Sequence, residues 1–190
     1  MGKFFDNLGL VVIVGFALAV LVAVWPDSGY HAPTGDLVNG ALQWLHVFFG
    51  IVWIGLLYYF NFVQIPTMPS VPAELKPGVT KYIAPKALFY FRWGAAFTVL
   101  TGLLLAWSYG ELVEALTLQT NYRLIGIGMW LALIMAFNVW VIIWPNQQKV
   151  LGLVQADDAA KAKAARTALV ASRTNVLLSI PMLLAMTNMH

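Results

Sequence analysis

The chain has 190 residues, 61% of them hydrophobic and 10% charged, with a formal net charge of +3 and no cysteine. So few charges cannot cover a soluble globule of this size. The missing cysteine excludes disulfides, thiolate metal sites, iron–sulfur clusters and covalently attached c-type haem. A pI near 9.2 is no nucleic-acid signal here, because the basic residues sit in short segments between apolar runs.

Five apolar runs fill most of the chain, at about 8–26, 38–62, 88–108, 122–145 and 171–189. Each approaches or exceeds the ~20 residues that cross a ~30 Å hydrocarbon core as a helix. Lipid leaves only helices or closed barrels able to satisfy the backbone. The runs are too long for barrel strands and lack strict alternation. The expected fold is an all-α integral membrane protein, one domain over 1–190 built as a bundle of five transmembrane helices.

In chain order, Lys3 precedes the first run, which is longer than the apolar core of a signal peptide, and no A-x-A-like site stands before Pro26. It is therefore read as a membrane helix. Residues 26–36 are rich in Pro, Gly, Asp and Ser and predict a turn region. The 63–87 segment holds Pro66, Pro69, Pro72, Pro77 and Pro85, which predicts a loop with one short helix near 78–90. Pro145 is expected to end the fourth helix. The alanine-rich stretch DDAAKAKAARTALVAS over 157–172 predicts a helix started by Asp157 or Asp158 and running straight into the fifth run, over 157–189.

Orientation follows from the cations. Lys3, Lys76, Lys81, Lys86, Arg92, Lys149, Lys161, Lys163, Arg166 and Arg173 fall on one predicted side, and Arg123 alone on the other. The excess of positive charge on the cytoplasmic side puts the N-terminus inside and the C-terminus outside.

The second run carries the most informative face. Asn39, Gln43, His46, Gly50, Trp53, Leu57, Asn61 and Gln64 recur at spacings of three and four, so they share one side of a helix. Hydrogen bonding between helices, with Gly50 allowing close packing, explains the Asn and Gln residues. His46 is different, because it lies ~12 Å below the outer surface at ~1.5 Å per residue. An imidazole at that depth is read as a haem ligand or proton relay, with Gln43 or Asn39 accepting from its second ring nitrogen; the other reading is a structural hydrogen-bonder. The fifth run has a matching face of Ser172, Asn175, Ser179, Met182, Met186 and His190, and the two polar stripes are expected to face one another. His190 is read as a second ligand or a frayed terminus. Arg92 and Trp93 read as an interfacial anchor, with an anionic ligand as the other reading for Arg92. Arg123 is read as a partner for a haem propionate, another anionic ligand or a lipid. Asn138 is expected to hydrogen-bond inside the bundle. The cofactor-binding set is thus His46, His190, Gln43 and Arg123, with His46 as ligand to the iron of a b-type haem.

Four strings, LHVFFGIVWIGLLYYFNFVQIP (45–66), APKALFYFRWGAAFTVLTGLLL (84–105), NVWVIIWPNQQKVLG (138–152) and SRTNVLLSIPML (172–183), resemble the membrane domain of the bacterial membrane-bound urate hydroxylases, in family order. More distantly, the His46-bearing run is similar to small membrane proteins of haem biosynthesis and copper resistance. The resemblance implies a multi-pass protein of the bacterial inner membrane, an oxidoreductase that hydroxylates urate and passes electrons to a cytochrome c. The family pattern continues through further membrane helices into a cytochrome c domain. This sequence stops in its fifth run and has no C-x-x-C-H, so either a separate cytochrome c takes the electrons or the chain keeps the fold and not the activity. The rival expectation is a non-enzymatic accessory transmembrane subunit of a respiratory or photosynthetic complex. A transporter is the weakest reading, since no Asp or Glu lies inside a run and no inverted repeat is visible.

Overall fold

The computed structural model describes residues 7–24 and 37–187. Helices α1 (Leu8–Val24), α2 (Leu37–Ser70), α3 (Lys76–Ser108), α4 (Leu112–Leu116), α5 (Thr120–Val150) and α6 (Asp158–Thr187) account for nearly all of them. No strand occurs among the described residues. The chain divides into two compact units, Met1–Gly40 and Ala41–His190.

Four helices, α2, α3, α5 and α6, are long and apolar enough to cross a membrane, which makes this a multi-pass helical membrane protein. That is one fewer than the five expected. The described part of α1 has 17 residues, about 26 Å at ~1.5 Å per residue, short of the ~30 Å core. Asn7 caps it, its Oδ1 accepting from the Leu10 N–H at 3.1 Å.

The expected proline-rich loop is largely helix. α2 continues through Pro66 and Pro69, and α3 already contains Pro77 and Pro85. Pro145 does not end α5 either, which runs on to Val150. A wide π turn immediately precedes Pro66, Pro85 and Pro145, at Tyr59–Gln64, Val79–Ile83 and Asn138–Ile143. Each closes on a bond donated by the residue just before the proline: Ile65 to Phe60, Ala84 to Val79 and Trp144 to Val139. Proline lacks an N–H and its ring clashes with the carbonyl four residues back. One extra residue in the preceding turn shifts that carbonyl out of the way, so the helix survives the proline.

The start of α6 matches expectation. Asp157 Oδ1 accepts from the Ala160 N–H at 2.7 Å, and the helix passes unbroken from the alanine-rich stretch into the apolar run, with Pro181 inside it. Within the second unit the core is Trp53, Leu57, Phe91, Met135 and Val139, all essentially inaccessible. Leu177, Ile180 and Leu184 of α6 stay exposed, as side chains facing lipid would. The short α4 is tied to α5 by the Trp130 Nε1–H, which donates to the Leu116 carbonyl at 3.0 Å.

Candidate functional site

The polar face of α2 divides between two neighbours. Its upper part meets α3. His46 Nδ1 lies 2.9 Å from the Thr98 carbonyl. A carbonyl only accepts, so Nδ1 carries the proton, and in the neutral ring Nε2 keeps a free lone pair. The Thr101 hydroxyl, 3.5 Å from Nδ1, donates instead to the Phe97 carbonyl at 2.6 Å. The His46 ring lies over Gly102, where a Cβ would come 2.7 Å from Cε1. Two turns lower, a Cβ on Gly94 would come 3.2 Å from the Trp53 backbone nitrogen. Close approach of α2 to α3 therefore requires small residues on α3. Gly50, the residue expected to permit it, has only the Thr98 methyl at 3.9 Å, an ordinary contact.

The lower part of α2 meets α6. Asn61 Nδ2 donates to Ser172 Oγ at 2.8 Å and to the Leu57 carbonyl at 2.9 Å. Ser179 donates to the Val176 carbonyl at 2.7 Å, so in its 3.0 Å contact with Tyr58 the tyrosine is the donor. From α5, Asn138 Nδ2 donates to Asn175 Oδ1 at 2.8 Å, while Asn175 Nδ2 donates to the Met135 carbonyl at 3.0 Å. Asn61, Asn138, Ser172, Asn175 and Ser179 are all buried. Among the described residues the two polar stripes meet where Asn61 bonds Ser172. Three buried atoms along α2, Trp53 Nε1, Asn61 Oδ1 and Gln64 Oε1, have no partner among the described residues.

Three of the four residues of the cofactor-binding set, His46, Gln43 and Arg123, lie among the described residues. His46 is half-buried at the α2–α3 contact, and the backbone of Thr98, not Gln43, takes its ring proton. Gln43 is exposed on α2 and Arg123 is exposed at the top of α5. Asn39 falls in the first unit. His190 lies outside the described residues, as does His31. Arg92 does more than anchor: its guanidinium carbon sits 3.2 Å from the centre of the Trp144 ring and 5.9 Å from that of Trp140. Surface hollows of about 350 Å³ at Gln119–Tyr122 and about 570 Å³ between Gly152 and Lys161 lie at helix starts and the segments before them and are not lined by His46.

Thr98, Thr101 and Gly102 escaped the sequence reading. A signal was present: Gly94, Thr98 and Gly102 repeat at intervals of four, the small-residue spacing that lets membrane helices approach closely.

No curated protein and no solved structure matches the chain. A family model described as urate oxidase N-terminal matches residues 112–190. The match covers α4, α5 and the described length of α6, including the Asn138–Asn175 bridge, and begins after the last residue of α3. It agrees with the resemblance of the 138–152 and 172–183 strings, so over residues 112–190 the chain is similar to the urate oxidase N-terminal family.

Proposed function

We propose that the chain is a redox protein of the bacterial inner membrane, of the urate hydroxylase membrane-domain type, which holds a b-type haem through His46 and passes electrons to a separate cytochrome c. The observation that carries this reading is the fixed imidazole. With Nδ1–H held by the Thr98 carbonyl, Nε2 is the nitrogen presented to a metal, the arrangement that orients ligating histidines generally. Among the described residues no three His, Asp or Glu side chains gather to hold a bare ion. A haem brings its own four nitrogens and needs one imidazole, so a lone oriented histidine fits it. Bound there, it would supply one-electron chemistry. This chain's residues contribute orientation: Gly102 leaves room for the ring, Thr98 holds its proton, and Thr101 keeps its own proton on Phe97.

A visible absorption spectrum of the purified full chain tests the reading. Redox-responsive haem bands that disappear or shift in His46→Ala, with membrane insertion intact, support it. A colourless protein that co-purifies with a large membrane complex favours the accessory-subunit reading, for which the broad exposed apolar face of α6 is the supporting observation.

The same reading has α1 as a fifth crossing and the N-terminus in the cytoplasm, supported by the ten-to-one division of cations. Reporter fusions at residues 78, 115 and 155 test it, and periplasmic activity at 78 or 155 refutes it.

A further inference from the structure

We propose that Arg92 anchors an anionic phosphate group, supplied by a lipid headgroup, at the Pro145 end of the second unit. The inference does not depend on the haem reading. Arg92 lies four residues inside the 88–108 apolar run, about 6 Å along the helix. Its guanidinium lies on the Trp144 ring, with Trp140 beyond and Trp93 packed edge-on against Trp140 at 5.7 Å. Tryptophans at this level mark a headgroup boundary.

A guanidinium has five N–H donors and no acceptor. Nε and Nη1 are closed off from the surface and have no hydrogen-bond partner, which leaves Nη2 as the nitrogen open to an approaching group. The described carboxylates do not pair with Arg92. The one ion pair among the described residues joins Lys161 to Asp158. Stacking on the indole face offsets part of the lost hydration, but it supplies neither a counter-charge nor an acceptor. A charge inside a membrane span normally has both.

The open Nη2 carries two N–H donors and a share of the guanidinium charge, which suits the oxygens of a phosphate. A soluble phosphate and a lipid phosphate share this chemistry. The position favours the lipid: Arg92 sits among boundary tryptophans, and Lys76, Lys81, Lys86 and Lys149 lie toward the same end. Juxtamembrane cations of this kind draw anionic lipids. Arg92 differs from them in being held in place by an aromatic ring.

Native mass spectrometry of the full chain, loaded with equal amounts of phosphatidylglycerol and phosphatidylcholine, tests the proposal. The wild type is expected to retain phosphatidylglycerol preferentially. Arg92→Gln should lower that retention roughly tenfold or more, as expected for the loss of a hydrogen bond to a charged group. Arg166→Gln removes an equal charge from the exposed part of α6 and should leave retention unchanged. Arg92→Lys keeps the charge without the ring-held guanidinium and should retain an intermediate amount, which separates loss of binding from failure to fold. Excess inorganic phosphate should not displace the lipid. Equal retention in wild type and Arg92→Gln overturns the proposal, as does an equal loss in Arg166→Gln. Displacement by inorganic phosphate rejects the lipid as the source.

Discussion

Adding one methyl group at Gly102 probes the seat of His46 directly. An ideal Cβ there would lie 2.7 Å from Cε1 and 2.9 Å from Nδ1 of the ring, well inside van der Waals contact. The ring must turn, and its 2.9 Å bond to the Thr98 carbonyl breaks. Overpacking of this kind costs about 1–3 kcal/mol, and the lost hydrogen bond adds about 0.5–1.5 kcal/mol. Alanine's helix preference over glycine returns about 1 kcal/mol. Gly102→Ala should therefore destabilise the protein by roughly 0.5–3.5 kcal/mol. In a His46→Ala background the methyl enters vacated space and only the helix preference remains, so the same change should stabilise by up to about 1 kcal/mol. The sign reverses, and the coupling between the two positions should be about 1.5–4.5 kcal/mol. Equilibrium unfolding of the four proteins of the cycle in mixed detergent and SDS micelles measures it. Equal shifts in both backgrounds would show that the ring does not lie over Gly102 and would remove the basis for its orientation.

Other substitutions probe the remaining contacts. Gly94→Ala meets the Trp53 backbone at 3.2 Å, which cannot rotate away, so it should destabilise in the same assay and not be relieved by trimming the Trp53 side chain. Asn175→Ala leaves the Asn138 amide buried without its acceptor, at about 1–3 kcal/mol; Asn138→Ala with Asn175→Ala should cost clearly less than the sum of the single changes. Asp157→Ala removes the cap on the Ala160 N–H and should cost about 0.5–2 kcal/mol, read as faster hydrogen exchange confined to the first turn of α6. Gly126→Ala would drive a methyl into the Ala115 carbonyl and the Leu118 side chain and should detach α4 from α5, visible as greater protease sensitivity over 112–119.

Membrane residence and the positions of the long helices were legible from composition, because spanning lipid requires an apolar run whose length depends on the bilayer and not on its neighbours. The α6 boundary was legible for a local reason: Asp157 acts within its own first turn. The polar faces of α2 and α6 were legible from their spacing, which places residues on one side of a helix whatever surrounds it. The proline-rich segment misled, since a proline counts as a stop only when the preceding turn has α geometry. Of the π turns before Pro66, Pro85 and Pro145, the first and last contain Asn61 and Asn138, which bond across to α6, a contact no local pattern reveals.

Which neighbour each face meets was decided by packing alone. Spacing placed Gln43 and His46 on one stripe, yet the α3 surface covers one and leaves the other exposed. The glycines that permit contact lie on α3 and not on α2. A helical period fixes direction around one axis. The acceptor for the His46 proton is a backbone carbonyl 52 residues away, and only the approach of two helices, set by Gly94 and Gly102, brings it within reach.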